Sequence, residues 1–421
     1  MKISIIATRT VPTVQVEIEG RKRIFHSRYD PLKEANSWVG NIIDGIQKDQ
    51  PVIIVGYGAG YHIAALAKEL PEQEICALEF NLQYANWFKK SLFYESVAVL
   101  PHVKMKTTDH LSAKERASIF SDVHQNNLLI QKTSMDIMPA KYNNVKLMLK
   151  DFQMQKDSIK NQIGTMIENF QKNIALNDSG IGELKDIYKG KKMILVSAGP
   201  SLDKQLPLLK KIREEGDIVI GAVGTAVRPL YRCGIIPNFL MIIDPQEGTM
   251  KQLTGIKLPN TPLYYMSTAY HDTVKLHAGP RRIVWQNGFM DAHKMAIMQN
   301  DPLIQTGGSV ATALLDTMVF LGGQVIALIG QDLAFTGGKS HASHTAAEKE
   351  VEETANTIKV QNYYQTGEVI TANNLSIYRK WFERYAENNA ELSLYNCTEG
   401  GAYINGWKHS SLNDFHLLDI F

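Results

Sequence analysis

Cysteine is scarce in this chain: three residues in 421, Cys76, Cys233 and Cys397, far apart and with no Cys-x-x-Cys pair. An odd count at that spacing argues against a disulfide scaffold and against a cysteine zinc centre. Charge of one sign is lacking too. Lys plus Arg is 45 and Asp plus Glu is 43, a formal net charge of +2, without the basic excess of a dedicated nucleic-acid binder. Long hydrophobic runs are missing. The most apolar window, Ala311 to Gly330, is broken by Asp316, Gly322-Gly323 and Gln324, and reads as a helix, a glycine stop and a strand rather than a membrane span. After Lys2 the N-terminus offers only Ile5-Ile6-Ala7 before Arg9, so no signal peptide is expected and the protein reads as cytoplasmic. There is also no Walker lysine loop, no Gly-x-Ser-x-Gly elbow and no Asp-x-Asp pair.

What is present is ordinary globular material, 44% hydrophobic and 21% charged, enough for a sizeable core in two or three domains. Thr13 to Glu19 and Arg23 to Phe25 alternate and suggest a small hairpin. Pro51 to Val55 reads as a buried strand running into Gly56-Tyr-Gly-Ala-Gly60 and a helical stretch, with a second strand at Ile75 to Leu78. That is the start of a doubly wound sheet. Lys106 to Asn127 is polar, irregular or surface helix. Asn143 to Ile174 has apolar residues at threes and fours, one or two connector helices.

A second α/β unit follows, with strands expected at 193–197, 217–223, 239–243, 263–266, 282–285 and 325–329. Each stops at Gly, Asp or Ser, as parallel strands do when they deliver loops to one sheet edge. Ala346 to Ile358 is Glu-rich and reads as helix, followed by a hairpin around Gly367 and a helix carrying Tyr378, Trp381, Phe382 and Tyr385. The fold class is therefore α/β: two Rossmann-like doubly wound units joined by connector helices, with a short, mostly helical C-terminal region. The domains are 1–142, a connector at 143–180, a sugar-nucleotide domain at 181–345 and a C-terminal region at 346–421.

Two glycine sites differ in strength. The 56–60 loop, with Glu79 about twenty residues on, fits a dinucleotide or S-adenosylmethionine site, but the third glycine of the fingerprint is replaced by Tyr61; a tight turn in a scaffold explains it equally. Ser197-Ala-Gly199-Pro200-Ser201 is the stronger site. Ser201 is placed as an N-cap, Pro207 can open the helix at its first turn, and free backbone N–H groups there suit phosphate. Thr225 caps the stretch 226–232, and Ser309 caps the helix after Gly307-Gly308. Three capped helix starts on one sheet edge point to one anionic ligand. Asp244 and Asp332 close strands at that edge. His341 and His344 follow Gly337-Gly338; their spacing could suit a metal, but no third ligand is near, so no metal site is assigned. His341 on a loop suits a general base, and Asp332 is the other candidate.

These residues together resemble the motility-associated factor (Maf) glycosyltransferases, which modify bacterial flagellin. The carriers are Gly199-Pro-Ser-Leu202, Cys233-Gly-Ile-Ile-Pro237 through Asp244, Gly307-Gly-Ser-Val-Ala311, Gly330-Gln-Asp-Leu-Ala-Phe335 with Ser340-His-Ala342, Thr371 before Leu375, and Asn396-Cys-Thr-Glu-Gly-Gly-Ala402. Gly56 to His62 with Leu78-Glu79 fits the family's N-terminal domain, and the resemblance spans roughly residues 50 to 410. Its central domain is similar to bacterial sialyltransferases and to archaeal 6-hydroxymethylpterin pyrophosphokinases.

The resemblance implies transfer of a nonulosonic acid, pseudaminic or legionaminic in type, from a CMP-activated donor to Ser or Thr of flagellin, as part of flagellar assembly or motility. Gly199, Pro200, Ser201, Thr225, Asp244, Gly307, Gly308 and Ser309 would then bind the sugar nucleotide, with His341 and Asp332 at the reacting face. A CMP leaving group can be stabilised by helix N-termini and hydroxyls. Many relatives carry Asp where this chain has Asn238, so Asn238 has no catalytic role, and little sequence follows residue 410. The competing readings are a pyrophosphokinase sharing the central domain and a non-catalytic flagellin-binding factor.

Overall fold

The computed structural model describes residues 1–48, 50–111, 127–351 and 357–419, in two compact units, Met1–Met154 and Gln155–Phe421. In the first unit, β1 (Lys2–Ile6), β2 (Thr13–Ile18) and β3 (Arg21–Ile24) form an antiparallel sheet. The expected hairpin closes through Glu19-Gly20, both at positive φ (50° and 75°), the geometry that follows the right-handed strand twist. A parallel sheet has the order β6-β5-β4-β7, built from β4 (Val52–Val55), β5 (Ile75–Glu79), β6 (Val103–Thr107) and β7 (Leu128–Ile130). Val52-Ile-Ile-Val55 is buried at every position, which is why it reads as an unbroken apolar run. The glycine loop leads from β4 into α1 (Tyr61–Glu69).

The stretch 106–127 begins differently from expectation. Lys106 and Thr107 are strand, paired with Leu78 and Glu79 of β5, so sheet pairing overrides a polar local pattern. Residues 112–126 lie outside the described residues. The connector range is a single helix, α2 (Asn143–Ile174), and the division between the units falls inside it.

The second unit holds a nine-stranded parallel sheet. All six expected strands are there: β8 (Lys192–Val196), β9 (Val219–Val223), β10 (Phe239–Ile242), β11 (Leu263–Met266), β12 (Arg281–Gln286) and, after the two-residue β13 (Leu303–Ile304), β14 (Val325–Ile329). The helices α3 (Leu202–Glu215) and α4 (Val310–Phe320) follow β8 and β13. Gly221 of β9 stands opposite Phe239 of β10, and the ring takes the room a side chain at 221 would need. Full burial of that ring is worth about 1.5–3 kcal/mol.

The described residues of 346–358 do not form the expected helix. The chain runs through turns and a bridge between Lys339 and Glu350, 352–356 lie outside the described residues, and Ile358 belongs to β15 (Thr357–Gln361). That strand pairs antiparallel with β16 (Glu368–Ala372), the hairpin expected around Gly367. Its β-branched residues, Thr357, Ile358 and Val360, meet Ala372, Thr371 and Val369, a cross-strand match that outweighs the helical preference of the glutamates before it. The aromatic helix is α5 (Asn373–Asn388), and β17 (Ser393–Asn396) and β18 (Lys408–His409) extend the large sheet. Its order is β13-β12-β11-β10-β9-β8-β14-β17-β18. The chain leaves β8 in one direction and returns to β14 on its other side, so β8/β14 is a topological switch point with its crevice at the C-terminal strand ends. No helix among the described residues is long and apolar enough to cross a membrane.

Candidate functional site

At the switch point a single carboxylate ties three loops together. Asp332, 1% exposed, accepts the Ser201 hydroxyl (2.7 Å) and N–H (3.2 Å) at one oxygen and the Thr336 hydroxyl (2.5 Å) at the other. Its backbone carbonyl takes the Ala402 N–H at 2.7 Å. Burial raises its pKa and these donors pull it back. Gln331 beside it accepts from the Ser197 hydroxyl at its side chain and donates its backbone N–H to the Thr398 hydroxyl.

This knot corrects the local reading of the 199–201 turn. Ser201 has helical backbone angles (φ −66°, ψ −21°) and caps nothing; its hydroxyl goes to a carboxylate 131 residues away instead. Pro207 lies within α3 rather than at its first turn. The N–H groups expected to be free for phosphate are engaged: Gly199 donates to Gly330 (2.6 Å), Ser201 to Asp332, and Leu202 to Gly199 (3.0 Å). A side chain at Gly199 would overlap the Asp332 carboxylate, so glycine is needed here for the close approach.

Open hydrogen-bonding capacity lies one and two strands over. Thr225 sits in a single 3-10 turn, Gly224–Ala226, and does not cap the next helix. Its half-buried hydroxyl finds no hydrogen-bond partner among the described residues. Ser309 does cap α4, accepting the Thr312 N–H at 3.4 Å. Gly307 and Gly308 donate to Thr312 and Thr306 hydroxyls (2.8 and 3.2 Å), which leaves the N–H groups of Val310 and Ala311 without a partner among the described residues. Asp244, after β10, accepts the Gln246 N–H at 2.9 Å. It is exposed to solvent, and the protein packed around it still raises its pKa, against the Gln246 N–H. Asn238 is at the far end of β10, where it pairs with the backbone of Ile220 (2.8 and 2.9 Å).

His341 is half-buried, with Nδ1 buried and unpartnered. Burial lowers its pKa, against a smaller opposing contribution from the Ala347 backbone. An imidazole so placed is neutral at neutral pH and able to accept a proton. Its loop is fastened to the β8 turn by Ala342 N–H to Ala198 O (2.8 Å) and by Ser343 N–H to the Asp203 carboxylate (3.1 and 3.2 Å). The residues thus lie along one sheet edge: Gly199, Pro200, Ser201, Asp332 and the His341 loop at β8/β14, Thr225 after β9, Asp244 after β10, and the 307–309 turn after β13, from which α4 packs back over β9 and β10. Among the described residues no three His, Cys, Asp or Glu side chains come together as a metal site.

Across 97% of its length the chain superposes on the structure of MAf glycosyltransferase from Magnetospirillum magneticum AMB-1, with a TM-score of 0.54, 15% sequence identity and 70% of that chain covered. The two proteins share a fold. Residues 165–338 match the family model described as 6-hydroxymethylpterin diphosphokinase MptE-like, and no curated protein matches the chain. The likeness to Maf glycosyltransferases carried by the motifs therefore recurs in the fold, and the segment that the MptE-like model covers overlaps the domain expected at 181–345. That segment includes Gly199, Ser201, Thr225, Asp244, the 307–309 turn and Asp332; His341 and α5 lie beyond it.

The glycine loop of the first unit is closed. Gly56 to Gly60 are all buried, and a side chain at Gly58 (φ 51°) would meet His26 Nε2 at 2.9 Å and His62 Cε1 at 3.0 Å. His62 Nε2 faces the Gly56 carbonyl at 3.2 Å, and burial, with His26 nearby, pushes its pKa down to about 3. Glu79, 1% exposed, accepts the N–H groups of Tyr57 (3.1 Å) and Asn81 (3.0 Å), and burial pushes it up to about 7. With its own side chains over the glycines, the loop offers no open cradle for a pyrophosphate. Sequence reasoning gave no site role to Thr336 or Tyr378 at the second unit's edge, nor, within the 396–402 stretch it singled out, to Thr398 or to Gly400, where a side chain would crowd Ser201 and Asp332. Tyr378 and Trp381 carried a signal, their i, i+3 spacing, but that spacing also describes ordinary core.

Proposed function

We propose that the chain is a glycosyltransferase that moves a nonulosonic acid of the pseudaminic or legionaminic type from a CMP-activated donor to Ser or Thr hydroxyls of flagellin, in the service of flagellar assembly or motility. The observation that carries this reading is that one sheet edge carries both unpaired donors suited to a phosphate and, on the 341 loop, a half-buried imidazole with Nδ1 unpartnered, suited to a hydroxyl proton. The donor's phosphate would lie against Val310 and Ala311 N–H groups and the Thr225 hydroxyl, where the start of α4 favours negative charge. His341 takes the proton of the acceptor hydroxyl as its oxygen bonds to the anomeric carbon; the bond from that carbon to the phosphate oxygen breaks and CMP leaves with the electron pair. Asp332 acts as a positioning residue, since Ser201 and Thr336 already occupy its oxygens.

The test is to incubate the pure chain with monomeric flagellin and a CMP-nonulosonate and read intact mass. Addition of one or more nonulosonate residues is the expected result, with CMP released in equal amount. A second reading is favoured by the 165–338 match: a pyrophosphokinase that transfers the terminal diphosphate of ATP to a pterin hydroxymethyl group and releases AMP. AMP formed from ATP and hydroxymethylpterin, with no sugar transfer, would replace the first reading. Flagellin bound stably with neither reaction would leave a binding factor.

A further inference from the structure

We propose that α5 builds one wall of the donor site, with the Tyr378 ring stacking on the planar base of the nucleotide and Asp244 accepting the exocyclic amine of cytosine. This rests on the transferase reading and adds to it the residues that would choose the base.

The helix lies outside the segment that the family model covers, yet it is built into the edge that holds the 307–309 turn. Asp316 of α4 is the joint: one oxygen accepts the Tyr385 hydroxyl and the other the Gln305 N–H, each at 2.7 Å. One turn earlier, Trp381 occupies the space where a side chain at Gly307 would go, and it stacks on Tyr385 with ring centroids 4.8 Å apart. One turn earlier again stands Tyr378. Its Cε1 is 3.4 Å from where a side chain at the exposed Gly308 would begin. Unlike Trp381 and Tyr385, it makes no aromatic pairing among the described residues. α4 packs over β10, with the Thr317 hydroxyl 3.9 Å from the Met241 sulfur, so its start lies toward the strand end that carries Asp244, which is close enough to act on Tyr378 electrostatically.

Three chemistries therefore meet at one sheet edge: a half-buried aromatic ring, an exposed carboxylate, and the N–H groups at the start of α4 that have no partner among the described residues. A carboxylate repels phosphate, so an anionic ligand must direct its charged end to Val310 and Ala311 and its neutral, hydrogen-donating end to Asp244. A nucleoside monophosphate has that polarity, and its base offers a face to Tyr378. Among pyrimidines, cytosine presents an amine to a carboxylate where uracil presents a carbonyl, and Asp or Glu accepting from the cytosine amine is an established pairing. Gly308 keeps the ring's approach clear.

Calorimetry with CMP and UMP on the full chain tests the assignment. The wild type should bind CMP at least tenfold more tightly than UMP. Tyr378→Ala should weaken CMP about tenfold or more, the size of one base stack, while Tyr378→Phe, which keeps the ring, stays within about threefold. Asp244→Asn should bring CMP and UMP to within about threefold of each other, because an amide can serve either base. This ratio is read on an accessible residue and survives even if Tyr378→Ala proves unstable. CMP affinity unchanged in a folded Tyr378→Ala, or a CMP preference intact in Asp244→Asn, overturns the inference and leaves the transferase reading standing. No CMP binding by the wild type overturns both.

Discussion

Replacing Glu79 with glutamine should change how the first unit's stability depends on pH, and the size follows from the burial of one carboxyl. Glu79 is 1% exposed, and burial pushes its pKa from 4.5 to about 7 against the Tyr57 and Asn81 N–H groups. In the unfolded chain it returns to the ordinary value. Between pH 4.5 and about 7 the folded state holds a proton that the unfolded state has shed, so stability falls as pH rises. Each pH unit in that window is worth about 1.4 kcal/mol, and the window of about 2.5 units amounts to about 3 kcal/mol. The contribution is present in full below pH 4.5 and lost by about pH 7. The substituted amide keeps the shape and does not titrate; it adds a cost that is the same at every pH. The stability of the wild type minus that of Glu79→Gln should therefore drop by about 3 kcal/mol from pH 4 to pH 8. Hydrogen exchange of peptides from β4 and β5, read by mass spectrometry at unit steps of pH, gives the difference directly. A difference flat to within about 0.5 kcal/mol would refute the argument. It would also reopen the glycine loop as a ligand site, because a charged, accessible Glu79 is what a ribose would need.

His62 runs the other way: with its pKa pushed down to about 3, its contribution is full above pH 6.5 and lost as pH falls toward 3, so His62→Gln should show a shallower acid limb in the same exchange measurement. Asp332→Asn removes the charge from the bonds to Ser201 and Thr336 and should cost about 1–3 kcal/mol in urea melts; stability equal to the wild type would mean the knot does not hold those loops. Gly199→Ala places a methyl against the Asp332 carboxylate and should lose about 1–3 kcal/mol by overpacking, seen as a lowered Tm. His341→Ala should lower transfer to flagellin by about 10²–10⁴-fold at unchanged CMP affinity. In the wild type the acid limb of the rate should fall below pH 6.5, the side to which burial moves this imidazole; near-native turnover in the variant would remove His341 from the mechanism.

Local interactions were legible in the sequence alone. Ser309 capping Thr312, the hairpin within 13–25, and short β-branched runs ending at Gly or Asp all act within a few residues, and each is found where the pattern puts it. The doubly wound α/β class follows from those runs, because parallel strands buried on both faces leave the same trace wherever they occur. Contacts between distant segments were not legible. Ser201 has the right neighbours for an N-cap, but Asp332, buried 131 residues on, needs hydrogen-bond donors more than the helix start needs an acceptor, and the hydroxyl goes there. Glutamates before residue 357 look helical, whereas Thr357–Gln361 pairs with Glu368–Ala372. Tyr378 reads as one more apolar position of a helix until the docking of α5 on Asp316 sets it beside Gly308. Capping and periodicity are decided by neighbours along the chain; which group satisfies a buried charge, and which ring stands beside a helix start, is decided only once the sheet has brought its strand ends together.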